Sequence, residues 1–280
     1  MQNKRFIVKY LLLSTALLWM CVTVSAQDLV ILHTNDVHSN IEPLRSGRNE
    51  GLGGFQRMAN YIQTVRQNHP NVLLLDAGDY NQGTPYYTVF QGKMEIMLYN
   101  AMGYDAVVLG NHEFDDGQQA LAVRLKEAQF VSLCANYNFK GTPLDGLVEP
   151  YTIVEKGGRK IGIIGVLLDL RGYVSESSRE GLKYKNPIPV VNRYARRLKK
   201  REGCDLVIVL SHLGYTGGSK ERPTDTEVAK YTRNVDLIIG GHSHTFLEKP
   251  TVVKNSAGED VIINQTGATG VYMGRIDINF

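Results

Sequence analysis

The chain is dominated by short apolar runs that alternate with stretches of helical periodicity, and this alternation favours an α/β fold. The runs are apolar throughout and do not alternate with polar residues, which is typical of strands covered on both faces. Strands are predicted at residues 29–34, 72–77, 106–110, 160–168, 206–211 and 237–240. Helical periodicity predicts helices between them at residues 54–67, 93–102, 117–128 and 189–201.

The C-terminal part of the sequence has a different pattern, because no helical stretch separates its apolar segments. Segments 251–255, 260–266 and 271–280 are joined by turn-forming residues, so they are predicted to form antiparallel strands or hairpins. Residues 27–280 contain no internal repeat and no break in composition. We therefore expect one domain over residues 27–280.

The first 26 residues have the pattern of a secretory signal peptide. Lys4, Arg5 and Lys9 precede the mostly apolar segment 11–24, and small residues lead to a predicted cleavage site after Ala26. The apolar segment is shorter than the ~20 residues that a membrane-spanning helix needs, so cleavage is favoured over a membrane anchor. The protein is therefore expected to be exported, to the periplasm or the extracellular space.

Charge and cysteine content argue against several kinds of partner and site. The formal net charge of +3 equals the contribution of the three basic residues near the N-terminus, so binding to a nucleic-acid polymer is not expected. The three cysteines are too few for a disulfide scaffold and contain no CxxC pair, which argues against a cysteine-based zinc site. Cys134 and Cys204 lie beside apolar runs and are interpreted as buried free thiols, although a disulfide between them is also compatible with the sequence.

Aspartate, asparagine and histidine residues follow five of the apolar runs. They are Asp36 with His38, Asp79, Asn111 with His112 and Asp115, His212, and His242 with His244. Functional groups of α/β sheets gather at the carboxyl ends of the strands, so these side chains are expected to converge. Imidazole, carboxylate and amide groups together fit a pair of divalent cations.

Each of these motifs also has a purely structural explanation. A histidine after a strand is more often a hydrogen-bonded loop or core residue than a metal ligand. Asp115 or the next residue, Asp116, has the position of a cap for the helix expected from Gly117. Five such coincidences in one chain favour the functional interpretation. His33, inside the first strand, is expected to be a core residue, and the basic run 196–201 is interpreted as a charged helix end.

The ordered motifs TNDVH, GDYNQG, GNHEFD, SHLGY and GGHSH resemble those of the calcineurin-like metallophosphoesterase superfamily. More narrowly, they resemble the catalytic domain of the bacterial periplasmic 5′-nucleotidases, from about residue 28 to the end of the chain. The resemblance implies a four-layer fold, in which two mixed β-sheets face each other and are flanked by helices. It also implies an exported phosphohydrolase, with nucleoside 5′-monophosphates as the first expected substrates.

The resemblance further implies a role for each motif residue. The ligands implied for one divalent ion are Asp36, His38 and His244, and those for a second ion are Asn111, His212 and His242. Asp79 would bridge the two ions, which would be zinc, manganese or similar metals. His112 would be the catalytic histidine, and Asp115 would orient it. The implied reaction is an in-line attack on phosphorus by the hydroxide between the two ions.

The resemblance leaves the substrate open, because relatives in the 5′-nucleotidase family continue into a nucleotide-recognition domain that we do not expect within residues 27–280. One hypothesis is that a separately encoded recognition subunit completes a nucleotidase. A second is a broad-specificity phosphoesterase, or one acting on cyclic nucleotides or nucleotide sugars. A third is a weakly active metal-binding subunit. Of these activities, hydrolysis of nucleotides is favoured.

Overall fold

The structure is a computed structural model that describes residues 29–280, and the expected signal peptide, residues 1–26, lies outside this range. The strands are β1 (Leu29–Thr34), β2 (Val72–Asp76), β3 (Ala106–Val108), β4 (Val131–Leu133), β5 (Tyr137–Asn138), β6 (Tyr151–Lys156), β7 (Arg159–Leu167), β8 (Lys183–Tyr184), β9 (Leu206–His212), β10 (Leu237–Gly240), β11 (Thr251–Lys254), β12 (Asp260–Asn264) and β13 (Gly274–Ile278). The helices are α1 (Phe55–Asn68), α2 (Pro85–Phe90), α3 (Lys93–Met102), α4 (Gly117–Leu125), α5 (Pro187–Lys200) and α6 (Asp225–Tyr231). Within residues 29–280, no helix has the length and apolar character needed to cross a membrane.

The strands form two mixed sheets, as the resemblance implies. The first sheet has the order β13-β1-β2-β3-β4, in which β1 to β4 are parallel and β13 is antiparallel to β1. The second sheet has the order β11-β12-β10-β9-β7-β6, with antiparallel strands only at its two edges. Strands β5 and β8 form a separate short pair.

The two sheets pack face to face between layers of helices, which confirms the four-layer arrangement. In β1, Leu29 and Ile31 face the second sheet and pack in one core with residues such as Ile208 of β9. The alternate residues Val30 and Leu32 face the other way and pack with α1 and α3. A third core lies on the outer face of the second sheet, against α5 and α6. Because both faces of the central strands are covered, their sequences are apolar throughout.

Several element boundaries follow from local chemistry. Helix α1 begins directly after Gly54, as predicted. At the start of α5, the Asn186 side chain accepts a hydrogen bond from the amide of Ile188, with Pro187 in the first turn. Helix α6 begins with a capping box between Thr224 and Glu227. The sequence patterns did not predict α2, α6 or β6, because α2 and α6 are only six and seven residues long and β6 lies at a sheet edge.

The C-terminal strands differ in part from the prediction. Strands β11 and β12 form an antiparallel hairpin and β13 is antiparallel to β1, as predicted. Strand β12, however, is also parallel to β10, so this strand has one antiparallel and one parallel neighbour. The hairpin extends the second sheet and β13 closes the edge of the first sheet. The C-terminal segment thereby adds strands to both sheets.

Candidate metal centre

The carboxyl ends of β1, β2, β3, β9 and β10 meet along one edge of the two sheets, and the polar side chains converge there. Three groups of His and Asp have potential ligand atoms within 4.8 Å of one another. The groups are Asp36 with His38 and His244, Asp79 with His212 and His242, and His38 with Asp79 and His112. Asn111 joins the second group, because its Oδ1 lies 3.1 Å from His242 Nδ1. The structure thus brings together all the side chains singled out at the strand ends.

The first group places two imidazole nitrogens beside one carboxylate. Nε2 of His38 lies 3.0 Å from Nε2 of His244, and these atoms lie 3.9 Å and 3.5 Å from Oδ1 of Asp36. Nδ1 of His38 lies 3.3 Å from the carbonyl oxygen of Asn81, which favours a proton on Nδ1 and leaves the lone pair on Nε2. The Asp36 side chain is fully buried. Two imidazole nitrogens and one carboxylate oxygen, all potential metal ligands, therefore lie within 4.8 Å of one another.

The second group contains a close contact between an imidazole nitrogen and a carboxylate oxygen. The ring of His212 is fully buried, and its Nδ1 lies 2.7 Å from the carbonyl oxygen of Ala77, so Nδ1 carries a proton. Nε2 lies 2.9 Å from Oδ2 of Asp79, and no well-oriented hydrogen bond joins it to a described residue. Burial lowers the pKa of His212, but the Asp79 carboxylate outweighs this effect and raises the pKa to about 10. The site therefore favours positive charge, and the donor set fits a divalent ion.

Asp79 lies between the two groups and is 2% exposed. Its Oδ2 faces His212, while its Oδ1 accepts a hydrogen bond of 2.9 Å from the backbone amide of His112. Gly110 passes so close that a Cβ atom at this position would lie 2.2 Å from Oδ1 of Asp79. A Cβ at Gly241 would likewise lie 2.9 Å from Nδ1 of His212. The two glycines let the backbone approach the ligands closely.

His112 and Asp115 form a separate pair at the edge of the centre. Nδ1 of His112 lies 2.7 Å from Oδ2 of Asp115, and the two side chains are 36% and 23% exposed. The hydrogen bond that His112 donates to Asp115 raises the pKa of His112 to about 9. Asp116 occupies the N-cap position of α4, but its side chain makes no capping hydrogen bond, and its carboxylate accepts hydrogen bonds from Tyr87 and Arg124. The capping explanation is therefore correct for the position of Asp116 and does not apply to Asp115, which pairs with His112.

The backbone is strained at five of the candidate ligands. The φ angles are positive for Asp36 (50°), His38 (50°), Asp79 (55°), His242 (71°) and His244 (52°). Non-glycine residues adopt such angles rarely, and each instance costs on the order of 1–3 kcal/mol. Strain of this kind concentrates at functional sites, where the surrounding structure holds it.

Glu113 is a residue of the site that the sequence analysis missed. Its buried carboxylate accepts hydrogen bonds from the backbone amides of Gly110 (2.6 Å), Asp79 (3.0 Å) and Asn81 (3.2 Å). Burial and the nearby Asp79 carboxylate raise the pKa of Glu113 to about 7. The carboxylate thereby ties the loop after β2 to the loop after β3. The available signal was an acidic residue directly before the buried Phe114.

Asn35 is a second missed residue, and it joins the ends of the two sheets. Its Nδ2 donates to Oδ2 of Asp36 (2.7 Å) and to the carbonyl oxygen of Gly267 (2.6 Å). Its Oδ1 accepts from both the amide and the hydroxyl of Thr266. Asn35 is 2% exposed. It orients Asp36 and fixes the loop after β12 against the loop after β1.

Comparison with known proteins gives a consistent family assignment. Residues 29–246 match the family model described as calcineurin-like phosphoesterase. The chain is 35% identical over 296 residues to a snake venom 5′-nucleotidase from Gloydius brevicauda, covering 96% of this chain and 49% of the relative. It is 35% identical over 288 residues to the 5′-nucleotidase of Homo sapiens, covering 95% of this chain and 48% of the relative.

Solved structures give the same result. The fold matches a 5′-nucleotidase precursor from Thermus thermophilus with a TM-score of 0.81 and 34% identity, covering 90% of this chain and 51% of the other. The chain thus spans about half the length of the relatives it matches. Because the family model matches most of the chain and the fold matches that of a solved relative, the chain belongs to the calcineurin-like phosphoesterase family.

Proposed function

We propose that this chain hydrolyses phosphate monoesters, with nucleoside 5′-monophosphates as the first candidate substrates, at a centre that holds two divalent cations. The observation that carries the proposal is that ligand atoms of Asp79 come within 4.8 Å of those of His212 and His242 and also of that of His38, so the two ligand groups meet at this residue. Neither group contains a cysteine, so the donors suit zinc, manganese or a similar ion. The separate His112–Asp115 pair adds an acid–base function beside them.

Each ligand has an assigned place in the proposal. Asp36, His38 and His244 would hold one ion, and Asn111, His212 and His242 would hold the other. Asp79 would contact both. The strained φ angles and the close glycines support this assignment, because they aim the side chains at one point before any ion binds. The contact of His212 with Asp79 is the most specific support, since a buried imidazole nitrogen and a buried carboxylate oxygen lie 2.9 Å apart.

The chemistry divides between the cations and the protein. When bound, the cations would lower the pKa of a water molecule and neutralise the charge of the phosphoryl oxygens. The protein ligands fix the position of the phosphate and exclude other orientations. His112 is placed to donate a hydrogen bond through Nε2, because its Nδ1 is already bound to Asp115. A donor at this place stabilises the charge that develops on the phosphoryl or leaving oxygen.

The nucleotide part of the proposal is supported by the relatives, several of which are described as 5′-nucleotidases. Their greater length leaves nucleotide recognition as a separate question. The proposal includes a further domain or a separately encoded subunit that completes recognition of the nucleoside. The alternatives are an enzyme of broad specificity, one that acts on cyclic nucleotides or nucleotide sugars, and a weakly active metal-binding subunit.

Export is proposed on the basis of residues 1–26. Their basic start and apolar centre are typical of a signal peptide. Expression of the whole chain, followed by mass determination of the protein outside the cytoplasm, is expected to show an N-terminus at Gln27. Retention of residues 1–26 on a membrane-bound product would contradict cleavage.

The activity is tested on purified protein dialysed against chelator and then loaded with Mn²⁺ or Zn²⁺. AMP, glycerol 3-phosphate, a cyclic nucleotide and a nucleotide sugar are compared by phosphate or nucleotide release. We expect metal-dependent release of phosphate from AMP, and loss of this activity with chelator. Metal binding without turnover of any ester would contradict the enzyme and favour the metal-binding subunit.

A further inference from the structure

A cavity of about 570 Å³ lies between the loop that follows β7 and the loop that precedes α6. Its wall includes Asp169, Arg171 and Tyr173 from the first loop, and Leu213 and Arg222 from the second. None of these residues belongs to the proposed catalytic or metal-binding set. The cavity therefore has no role in the proposed metal centre.

The cavity opens beside one of the two ligand groups. The ring of Tyr173 lies against the ring of His242, with centroids 5.0 Å apart and planes at 80°. Leu213 follows His212 directly in the chain and lines the cavity. A phosphate ester held at the His212 and His242 side of the centre thus has this space within reach of its leaving group.

The side chains of the cavity select for a particular chemistry. Tyr173 is 57% exposed, and among the described residues the ring of His242 is the one aromatic ring paired with it, so a planar group can stack on its exposed part. Arg171 is paired with Asp169, whereas the exposed Arg222 has no ion pair and no side-chain hydrogen bond to any described residue. The hydrogen bond from Arg171 and, at longer range, the charge of Arg222 both lower the pKa of Asp169. Two guanidinium groups therefore face one carboxylate, and the cavity offers an aromatic surface and a net positive charge.

We propose that this cavity receives the leaving group of the phosphate ester and favours one that combines a planar ring with a negative charge. Tyr173 stacks on the ring, and Arg222 pairs with the charge. This inference rests on the proposed hydrolysis of phosphate monoesters, since it assigns the part of the substrate that the metal centre does not hold. The neutral nucleoside of a 5′-monophosphate would use only the stacking on Tyr173. It gives the chain its own means of discriminating between leaving groups.

A second cavity, of about 480 Å³, is the competing location. It lies beside His38, between the segment Ser39 to Arg45 and helix α2, and its wall includes the stacked rings of Tyr86 and Phe90. Its charged side chains, Glu42 and Arg45, are paired with each other. This cavity offers rings without an excess of positive charge. It therefore does not fit an anionic leaving group as well as the cavity beside His242 does.

The experiment uses four phosphate esters that differ in two properties. Glycerol 3-phosphate has neither ring nor charge in its leaving group, 3-phosphoglycerate has the charge, phenyl phosphate has the ring, and 4-carboxyphenyl phosphate has both. For each variant, kcat/KM is divided by the value for glycerol 3-phosphate. Comparing these ratios between wild type and variant removes differences in the intrinsic reactivity of the esters.

Tyr173→Ala is expected to lower the ratios of both aromatic esters at least about fivefold, the effect of one lost stacking contact. Arg222→Gln is expected to lower the ratios of both charged esters about threefold, as for a solvent-exposed charge pair. The matched controls, Tyr61→Ala on α1 and Arg193→Gln on α5, are expected to leave all ratios unchanged. Unchanged ratios in Tyr173→Ala and Arg222→Gln would overturn the proposal. The proposal would also be overturned if Phe90→Ala lowered the ratios of the two aromatic esters and Tyr173→Ala did not.

A binding measurement separates this proposal from the proposed function. Benzylphosphonate carries a methylene group in place of the ester oxygen and cannot be hydrolysed, so its binding to metal-loaded protein is measured by calorimetry. If no ester is hydrolysed but Tyr173→Ala weakens benzylphosphonate at least about fivefold, the subsite stands and the proposed function fails. If esters are hydrolysed and neither the ratios nor this affinity change in Tyr173→Ala, the function stands and the subsite fails.

Discussion

The backbone amide of Asp79 donates a hydrogen bond of 3.0 Å to the buried carboxylate of Glu113. The same carboxylate accepts hydrogen bonds from Gly110 and Asn81, so both of its oxygens act only as acceptors. Two loops that carry candidate ligands are therefore fixed relative to each other by one side chain. The position of Asp79, on which both ligand groups depend, is determined by a residue that contacts neither substrate nor metal in the proposal.

The variant Glu113→Gln is expected to disturb this arrangement with little change in volume. The amide group of glutamine must face at least one backbone N–H, which leaves a buried donor without an acceptor at a cost of about 1–3 kcal/mol. We expect a loss of stability of this size and a fall in kcat of at least about tenfold, the usual effect of losing support behind a ligand. Urea unfolding and steady-state kinetics measure the two effects. Exposed Glu127→Gln is the control, and a Glu113→Gln protein with normal kcat would contradict the positioning role.

The variant Gly110→Ala is expected to displace Asp79 directly. The new Cβ would lie 2.2 Å from Oδ1 of Asp79, closer than any unbonded contact allows. We expect loss of bound metal and at least about a hundredfold fall in kcat/KM, because the proposed bridging ligand would move. Metal content after dialysis gives the first readout. Gly141→Ala meets no atom within 4 Å but lies at a positive φ, which Gly110 does not have, so it shows the effect of backbone strain without a close contact. Equal effects of the two substitutions would be inconsistent with a role for the close approach.

The pair His112 and Asp115 is expected to affect catalysis without affecting metal binding. His112→Ala removes the proposed donor, and Asp115→Asn removes the negative partner that orients it and favours its charged form. We expect kcat to fall by about 10²–10⁴ in His112→Ala, the range of general acid–base catalysis, and by a smaller factor in Asp115→Asn. Metal content is expected to equal that of the wild type in both. A His112→Ala enzyme with wild-type kcat would disprove the role.

These sites also indicate how much of the structure could be predicted from the sequence. The strand-end positions of Asp36, Asp79 and His212 were predicted because apolar strands and the residues after them are local patterns. The same patterns predicted an α/β class, but they could not separate one sheet from two. That distinction depends on which strands pair across long stretches of chain. The division into two sheets came from the family resemblance.

The parts that were missed depend on the tertiary structure. Glu113 and Asn35 act through hydrogen bonds to backbone groups of other loops, and no spacing in the sequence encodes those bonds. The positive φ angles of Asp36 and His244 are likewise imposed by the surrounding structure, since neither residue prefers them. Strand β12 was predicted as part of an antiparallel arrangement, whereas its parallel partner β10 is set by the order of strands in the second sheet. Local patterns contain no information on that order.

The core histidine His33 gives a prediction on stability and pH. It is fully buried, as expected from the sequence, and burial lowers its pKa to about 4 from an ordinary value of 6.5. Between these values the unfolded chain binds a proton that the folded chain does not, so stability is complete above pH 6.5 and is lost as the pH falls toward 4. The loss from pH 7 to pH 5 is about 2 kcal/mol for this group.

The variant His33→Gln cannot take up this proton. In urea unfolding with chelator present, the difference in stability between pH 7 and pH 5 is therefore expected to be about 2 kcal/mol smaller in the variant than in the wild type. Chelator is needed because metal binding to other histidines also depends on pH. The half-buried control His69→Gln is expected to keep the wild-type difference. Equal differences in wild type and His33→Gln would show that the buried ring is not kept neutral.

The central claim is that two groups of side chains share Asp79 and bind two cations. Anomalous diffraction from crystals grown with Mn²⁺ tests it most directly. The account predicts two peaks, one among Asp36, His38 and His244 and one among Asn111, His212 and His242, each within bonding distance of Asp79. A single peak, or peaks that avoid Asp79, would contradict it.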